Sequence, residues 1–197
     1  MRIVLASGNA GKVVELEQLL AGTGVELVPQ TALGVSDADE TGLTFVENAL
    51  IKARHAARAT GLPALADDSG ICVDALDGAP GLYAARYSGV HGDSAANNAK
   101  LLRELAGVPM DKRGAYFIAV LVLLRHAEDP APLIAEARWH GTILEAPRGE
   151  GGFGYDPLFL PHGSDLGAAE IEPALKNRLS HRGQALEILK ARFAELA

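Results

Sequence analysis

Cysteine is almost absent: Cys72 is the only one in 197 residues. That excludes an intrachain disulfide framework and a Cys-rich zinc site, and it points to a reducing, cytoplasmic setting. Long apolar runs are also missing. The longest stretch without Asp, Glu, Lys or Arg is Gly114–Leu124, eleven residues, too short to cross a bilayer. Met1–Ala6 holds one basic residue and a brief apolar run, and reads as a first strand and not as a signal peptide. Positive charge is in deficit, with 18 basic against 25 acidic residues and a formal charge of −7. A general nucleic-acid binder has the opposite balance, so neither a nucleic acid nor a membrane is expected as partner. Any phosphate must be met locally, by a few cations, backbone N–H groups or a metal. Repeats, low-complexity tracts and Ser/Gly linkers are lacking too.

What is present is globular: 48% apolar and 22% charged residues, enough chain for one domain or two small lobes sharing a core. Arg2–Ala6 predicts a strand and Lys12–Ala21 a helix, with Val13, Leu16 and Leu20 on one face. A strand follows at Val25–Val28. Thr44, with Glu47 three residues on, predicts the capped start of a second helix ended by Gly61 and Pro63. Ala64–Ala66 and Ile71–Leu76 read as short strands around an Asp67-Asp68-Ser69-Gly70 turn. Asp93 or Ser94 caps a third helix. Ala115–Leu124 and Leu133–Leu144 read as long strands, Leu158–Leu160 as a short one, and Ser180–Leu196 as a final helix. Strands and helices mix without strict alternation, which predicts an α/β or α+β fold with a mixed sheet and two lobes.

Four segments carry candidate chemistry. Ser7-Gly8-Asn9-Ala10-Gly11-Lys12 lies between the first strand and the first helix. Its backbone N–H groups and helix N-terminus suit an oxyanion, and Lys12 adds a point charge expected to be screened by salt. It is not a Walker A loop, because Val13 stands where Ser or Thr would hold Mg²⁺. Glu40 and the Asp67-Asp68 pair suit Mg²⁺, which takes one or two carboxylates and keeps several waters. Gly151-Gly152-Phe153-Gly154-Tyr155-Asp156-Pro157 sets aromatics in a glycine-rich loop that can face a base. Lys176–Gly183 gathers Lys176, Arg178, His181 and Arg182 at a helix N-terminus, where the dipole disfavours cations unless an anion is bound. Each segment also has a plainer reading: a strand-to-helix turn, a solvated charge run, a packed hairpin, a basic helix start.

Together, in this order, the segments resemble the inosine triphosphate pyrophosphatase family, the enzymes acting on non-canonical purine nucleoside triphosphates, and most of all its bacterial branch. The matching pieces are Ser7–Lys12, Glu40–Phe45 with Glu47-Asn48-Ala49, Ala66–Gly70, Gly78–Gly81 leading to Ala85–Gly89, Gly152–Pro157 and Ser180–Gly183. They span nearly the whole chain. One departure is Ala174-Leu175, where members often carry acidic residues before the Lys-Asn pair, and it bears on helix capping and on the field at Lys176.

The resemblance implies an elongated mixed sheet with two lobes around a cleft, assembled as a homodimer. It implies Mg²⁺-dependent hydrolysis of ITP, dITP and XTP to the monophosphate and pyrophosphate. Carried over residue by residue, Ser7, Gly8, Asn9, Ala10, Gly11 and Lys12 would hold the triphosphate, and Ser69 would contact substrate. Glu40 and Asp68 would be metal ligands, with Asp68 also the general base. Phe153 would stack on the base, beside Gly154, Tyr155 and Asp156. Lys176, His181 and Arg182 would contact phosphate or base. Hypoxanthine and xanthine present O6 as an acceptor where adenine presents a donor, and Arg182 is the expected O6 donor. Two other readings use the same residues: a purine-nucleotide sensor without turnover, and a phosphatase releasing orthophosphate.

Overall fold

The structure, a computed structural model, describes residues 1–193. In chain order the elements are β1 (Arg2–Ala6), α1 (Ala10–Leu20), β2 (Glu26–Pro29), α2 (Phe45–Thr60), β3 (Ala64–Val73), α3 (Ser94–Glu104), β4 (Gly114–Leu124), β5 (Leu133–Ile143), β6 (Phe159–Pro161), α4 (Pro173–Leu179) and α5 (His181–Lys190). The six strands form one sheet in the order β2-β1-β3-β4-β5-β6. β1 pairs in parallel with β2 and β3, and β5 pairs antiparallel with β6. The fold is thus α/β with a mixed sheet, as the intermixed pattern predicts. No helix among the described residues is long and apolar enough to cross a membrane.

The chain divides into two compact units. The first comprises residues 1–68, 119–137 and the described residues from Arg182 onward. Its core joins Ile3, Leu5 and Leu65 of the sheet to Leu16 and Leu20 of α1 and to Ala185, Leu186 and Leu189 of α5. The second comprises residues 69–118 and 138–181. Its core is built from Ile71, Val73, Leu101, Leu105, Phe117, Trp139 and Phe159. Phe117 meets Phe159 edge-on at 4.7 Å, an attractive aromatic geometry.

Most predicted boundaries fall within a residue or two of those observed, and two regions differ more. Asp67–Gly70 is no turn: β3 runs unbroken through ten residues. Carboxylates are tolerated inside a buried strand because each has a cation, and because alternation sends neighbours to opposite faces. Asp67 follows Leu65 on the α1/α5 face, while Asp68 meets α2. The predicted final helix corresponds to α5, and an unpredicted helix, α4, precedes it, the two separated by Ser180 in extended backbone. α4 escapes the apolar pattern because its buried residues are Lys176 and Asn177, while Leu175 and Leu179 are exposed. The predicted end at Leu196 lies outside the described residues.

Candidate functional site

In the first unit the site grows from three local devices. Asn9 caps α1, its side chain accepting from the Lys12 amide at 3.1 Å, which fixes the turn of Ser7–Lys12. Thr44 caps α2, accepting from the Glu47 amide, while the Glu47 carboxylate accepts from Leu43 N–H at 2.8 Å. This is the predicted capping signal, reaching one residue further back. Asn48 of α2 then accepts from the Gly42 amide at 2.8 Å. A Cβ at Gly42 would lie 2.6 Å from that of Glu47, so only glycine lets the Glu40 loop seat on the helix.

These devices bring seven charges into one network. Lys12 Nζ lies 2.6 Å from Asp67, whose other oxygen accepts from Arg182 Nε at 2.8 Å. A further Arg182 nitrogen pairs with Glu15 of α1. Lys52 Nζ lies 2.6 Å from Asp68 and 2.8 Å from Glu40. Burial opposes the Asp67 charge, but Arg182 and Lys12 outweigh it and hold that carboxyl well below the usual range. Burial pushes the Asp68 carboxyl up, and Lys52 and Lys12 only partly offset this. Burial also lowers the Lys12 ammonium more than Asp67 raises it. For Lys52 burial again pulls down, yet Asp68 and Glu40 together leave it raised.

The second unit holds the other predicted residues. Gly152 has φ +71°, and a Cβ there would overlap the Asp156 carboxylate. The glycine therefore lets Asp156 fold under its own loop and accept from Phe153 N–H at 2.8 Å. Lys176 Nζ pairs with Asp156 at 2.8 Å and stands 5.4 Å from the centre of the Phe153 ring. Phe153 remains 37% exposed. Asn98 of α3 donates to the Gly154 carbonyl at 3.0 Å. Near the missing acidic pair, Glu172 supplies the cap of α4, accepting from Leu175 N–H at 3.0 Å.

Three placements bear on the sequence-based assignments. Tyr155 is buried and donates its hydroxyl to the Ala84 carbonyl at 2.8 Å, so it braces the loop and offers no ring face to a base. His181 is buried with its ring stacked on Phe117 at 4.9 Å. Arg182 is only 2% exposed, its fork committed to Asp67 and Glu15. A group so enclosed cannot be the O6 donor while these pairs hold. Sequence reasoning also missed Lys52, Glu15 and Asn98. For Lys52 a signal existed: Asn48 and Lys52, four apart, are polar residues on one side of α2.

The donor set suits a divalent ion. The Glu40 and Asp68 oxygens already converge on one cation, the Lys52 ammonium. Two carboxylates completed by water and phosphate oxygens are a usual Mg²⁺ shell. Among the described residues no cluster of three or more His, Cys, Asp or Glu exists, so water and substrate would have to complete the shell.

The fold is a mixed-sheet α/β protein whose first unit sets a polar helix start after an N-terminal strand and brings two carboxylates to one cation. The chain belongs to the Ham1 family, whose model matches residues 3–192. It is 63% identical to the dITP/XTP pyrophosphatase of Xanthomonas oryzae pv. oryzae, over 99% of this chain and 98% of that protein. It is 57% identical to the dITP/XTP pyrophosphatase of Shigella flexneri, over 95% of each. Among solved structures, a HAM1 protein from Coxiella burnetii matches with a TM-score of 0.91 at 48% identity over 99% of both chains. The Ham1 protein of Staphylococcus aureus matches with a TM-score of 0.87 at 34% identity over the full length of both.

Proposed function

We propose that the protein hydrolyses non-canonical purine nucleoside triphosphates, dITP, XTP and ITP, to the monophosphate and pyrophosphate, with Mg²⁺. The observation that carries this reading is the meeting of Glu40, from the loop before α2, and Asp68 of β3 at one cation, with the Asp67–Lys12 pair beside Asp68 in sequence. The activity of the named relatives supports the substrate class. In this reading Glu40 and Asp68 would hold the ion, which when bound would supply neutralisation of phosphate charge and a lowered pKa for a nearby water. Asp68 takes the proton of the attacking water. A bond forms from that oxygen to the α-phosphorus, and the bond to the bridging oxygen breaks, releasing pyrophosphate. Lys12 meets the leaving charge, and the Ser7–Gly11 backbone and Ser69 orient the phosphates. On the second unit, Phe153 stacks on the base, with Gly154, Asp156 and its ion-pair partner Lys176 shaping the loop. The O6 donor is a backbone N–H or His181.

The experiment is a panel of dITP, ITP, XTP, GTP and ATP with product analysis. Pyrophosphate with monophosphate from the first three supports the proposal. Orthophosphate as first product would make the protein a phosphatase, and binding without turnover would make it a sensor. Chelation with EDTA should abolish turnover, and Mg²⁺ should restore it. A homodimer working in the cytoplasm completes the proposal on the strength of the family resemblance, and sedimentation tests the assembly.

Two substitutions check the binding roles. Lys12→Ala should raise the KM for dITP by about 10- to 100-fold, the worth of a charge-assisted contact. The Lys12 side chain is only 15% exposed, so the loss should persist in high salt, contrary to the screening expected of a surface lysine. A loss that vanishes in salt would return Lys12 to the solvated surface. Phe153→Ala should lower kcat/KM for dITP and XTP by similar factors, corresponding to about 1–3 kcal/mol of stacking. Unequal factors would mean that the ring reads the base edge and does not merely stack on it.

A further inference from the structure

Lys52 is the least explained member of the charged network. Its side chain is 14% exposed, and its ammonium lies within 2.8 Å of one oxygen of Glu40 and one of Asp68. These are the two carboxylates read above as metal ligands, and the inference rests on that reading. An ammonium and a dication cannot share the space between the same two oxygens, because they repel at a few ångströms in a poorly solvated site. We propose that Lys52 is an internal competitor of the metal: it occupies the carboxylate pair in the free protein and yields to a divalent ion only when a triphosphate offers the ammonium another anionic partner.

The physical logic is one of stranded charge. A bare ion entering between Glu40 and Asp68 would push the ammonium off both counter-charges while it stays largely buried. A buried cation stripped of its partners is costly. Asp67 cannot take it up without loss, since its oxygens serve Lys12 and Arg182. A triphosphate removes the cost, because phosphate oxygens accept from a displaced lysine as the carboxylates did. The ion therefore enters with its nucleotide, and ion and nucleotide strengthen each other's binding by one reciprocal factor. Lys52 acts here as a positioning residue that sets the order of entry, and the Glu40–Asp68 pair is never left as two adjacent uncompensated carboxylates.

The test is Mn²⁺ binding followed by electron paramagnetic resonance, with and without the α,β-imido analogue of dITP. Without nucleotide, Lys52→Met should bind Mn²⁺ at least roughly tenfold more tightly than the unaltered protein, a size usual for coupling between sites. Lys52→Arg keeps the charge and should bind the bare ion as weakly as the unaltered protein. The analogue should enhance Mn²⁺ affinity less in Lys52→Met than in the unaltered protein. If Lys52→Met does not fold, Lys52→Gln makes the same comparison. Equal bare-ion affinity in the unaltered protein and the neutral variant overturns the proposal. Adding Glu40→Gln to the neutral variant should abolish the gained affinity. A gain that survives Glu40→Gln would show that these carboxylates are not the ligands, a failure of the underlying reading distinct from failure of the competition itself.

Discussion

Asp68→Asn is expected to lower kcat for dITP by roughly 10²- to 10⁴-fold, the contribution usual for a positioned general base, while the protein stays folded. The substitution removes a proton acceptor and one charge of the carboxylate pair together. The fold has reason to survive. Lys52 keeps Glu40 at 2.8 Å as counter-ion, and the asparagine oxygen can still accept from the Lys52 ammonium. The buried Asp68 carboxyl is already pushed up by desolvation, so a neutral amide costs the folded state little. Pyrophosphate release and a circular-dichroism melt, measured on the same preparation, check both halves. Turnover above a tenth of the unaltered rate would remove Asp68 from the base role. A collapsed melting temperature would instead make the residue structural.

The architecture was legible where one local rule decided the outcome. The Thr44–Glu47 spacing located the start of α2, and the apolar runs located β4 and β5 to within a residue or so. It was illegible where a distant charge overrides a local rule. Asp67-Asp68-Ser69-Gly70 has turn chemistry, yet forms a strand interior because Lys12, Arg182 and Lys52 arrive from α1, α5 and α2. No window of neighbouring residues contains those partners. α4 was hidden for a related reason, since its inward face is polar and its buried cation, Lys176, answers to Asp156. The candidate site divides the same way. Residue types and order singled out Glu40, Asp68, Lys12 and Phe153, and the structure places the first three among paired charges of the first unit. The orientation of Arg182, Tyr155 and His181 depends on packing that the sequence does not display, and Arg182 and Tyr155 direct their polar atoms to internal partners.

Arg182→Ala separates these two kinds of role most sharply. The arginine is 2% exposed and donates to Asp67 at 2.8 Å and to Glu15 as well. Burial opposes its charge, yet Asp67 and Glu15 together raise its pKa further above the ordinary value. Alanine would leave Glu15 without this partner in a buried position and leave Asp67 leaning on Lys12 alone among the cations paired with it here. Removing one side of a buried ion pair costs about 3–5 kcal/mol. For a chain of this length that lowers Tm by roughly 10 °C. The kinetic signature follows from Lys12. With Arg182 gone, Asp67 holds the lysine ammonium more tightly, and less of its charge is available to phosphate. The KM should then rise for dITP, XTP and ATP alike, leaving the preference for the non-canonical bases in place. Arg182→Lys should recover only part of the stability, because a single ammonium cannot fork between two carboxylates. The contrary result is equally plain: an unchanged Tm with dITP falling to the level of ATP would mean that the guanidinium leaves Asp67 and Glu15 to read O6, and that the buried arrangement is only its resting place.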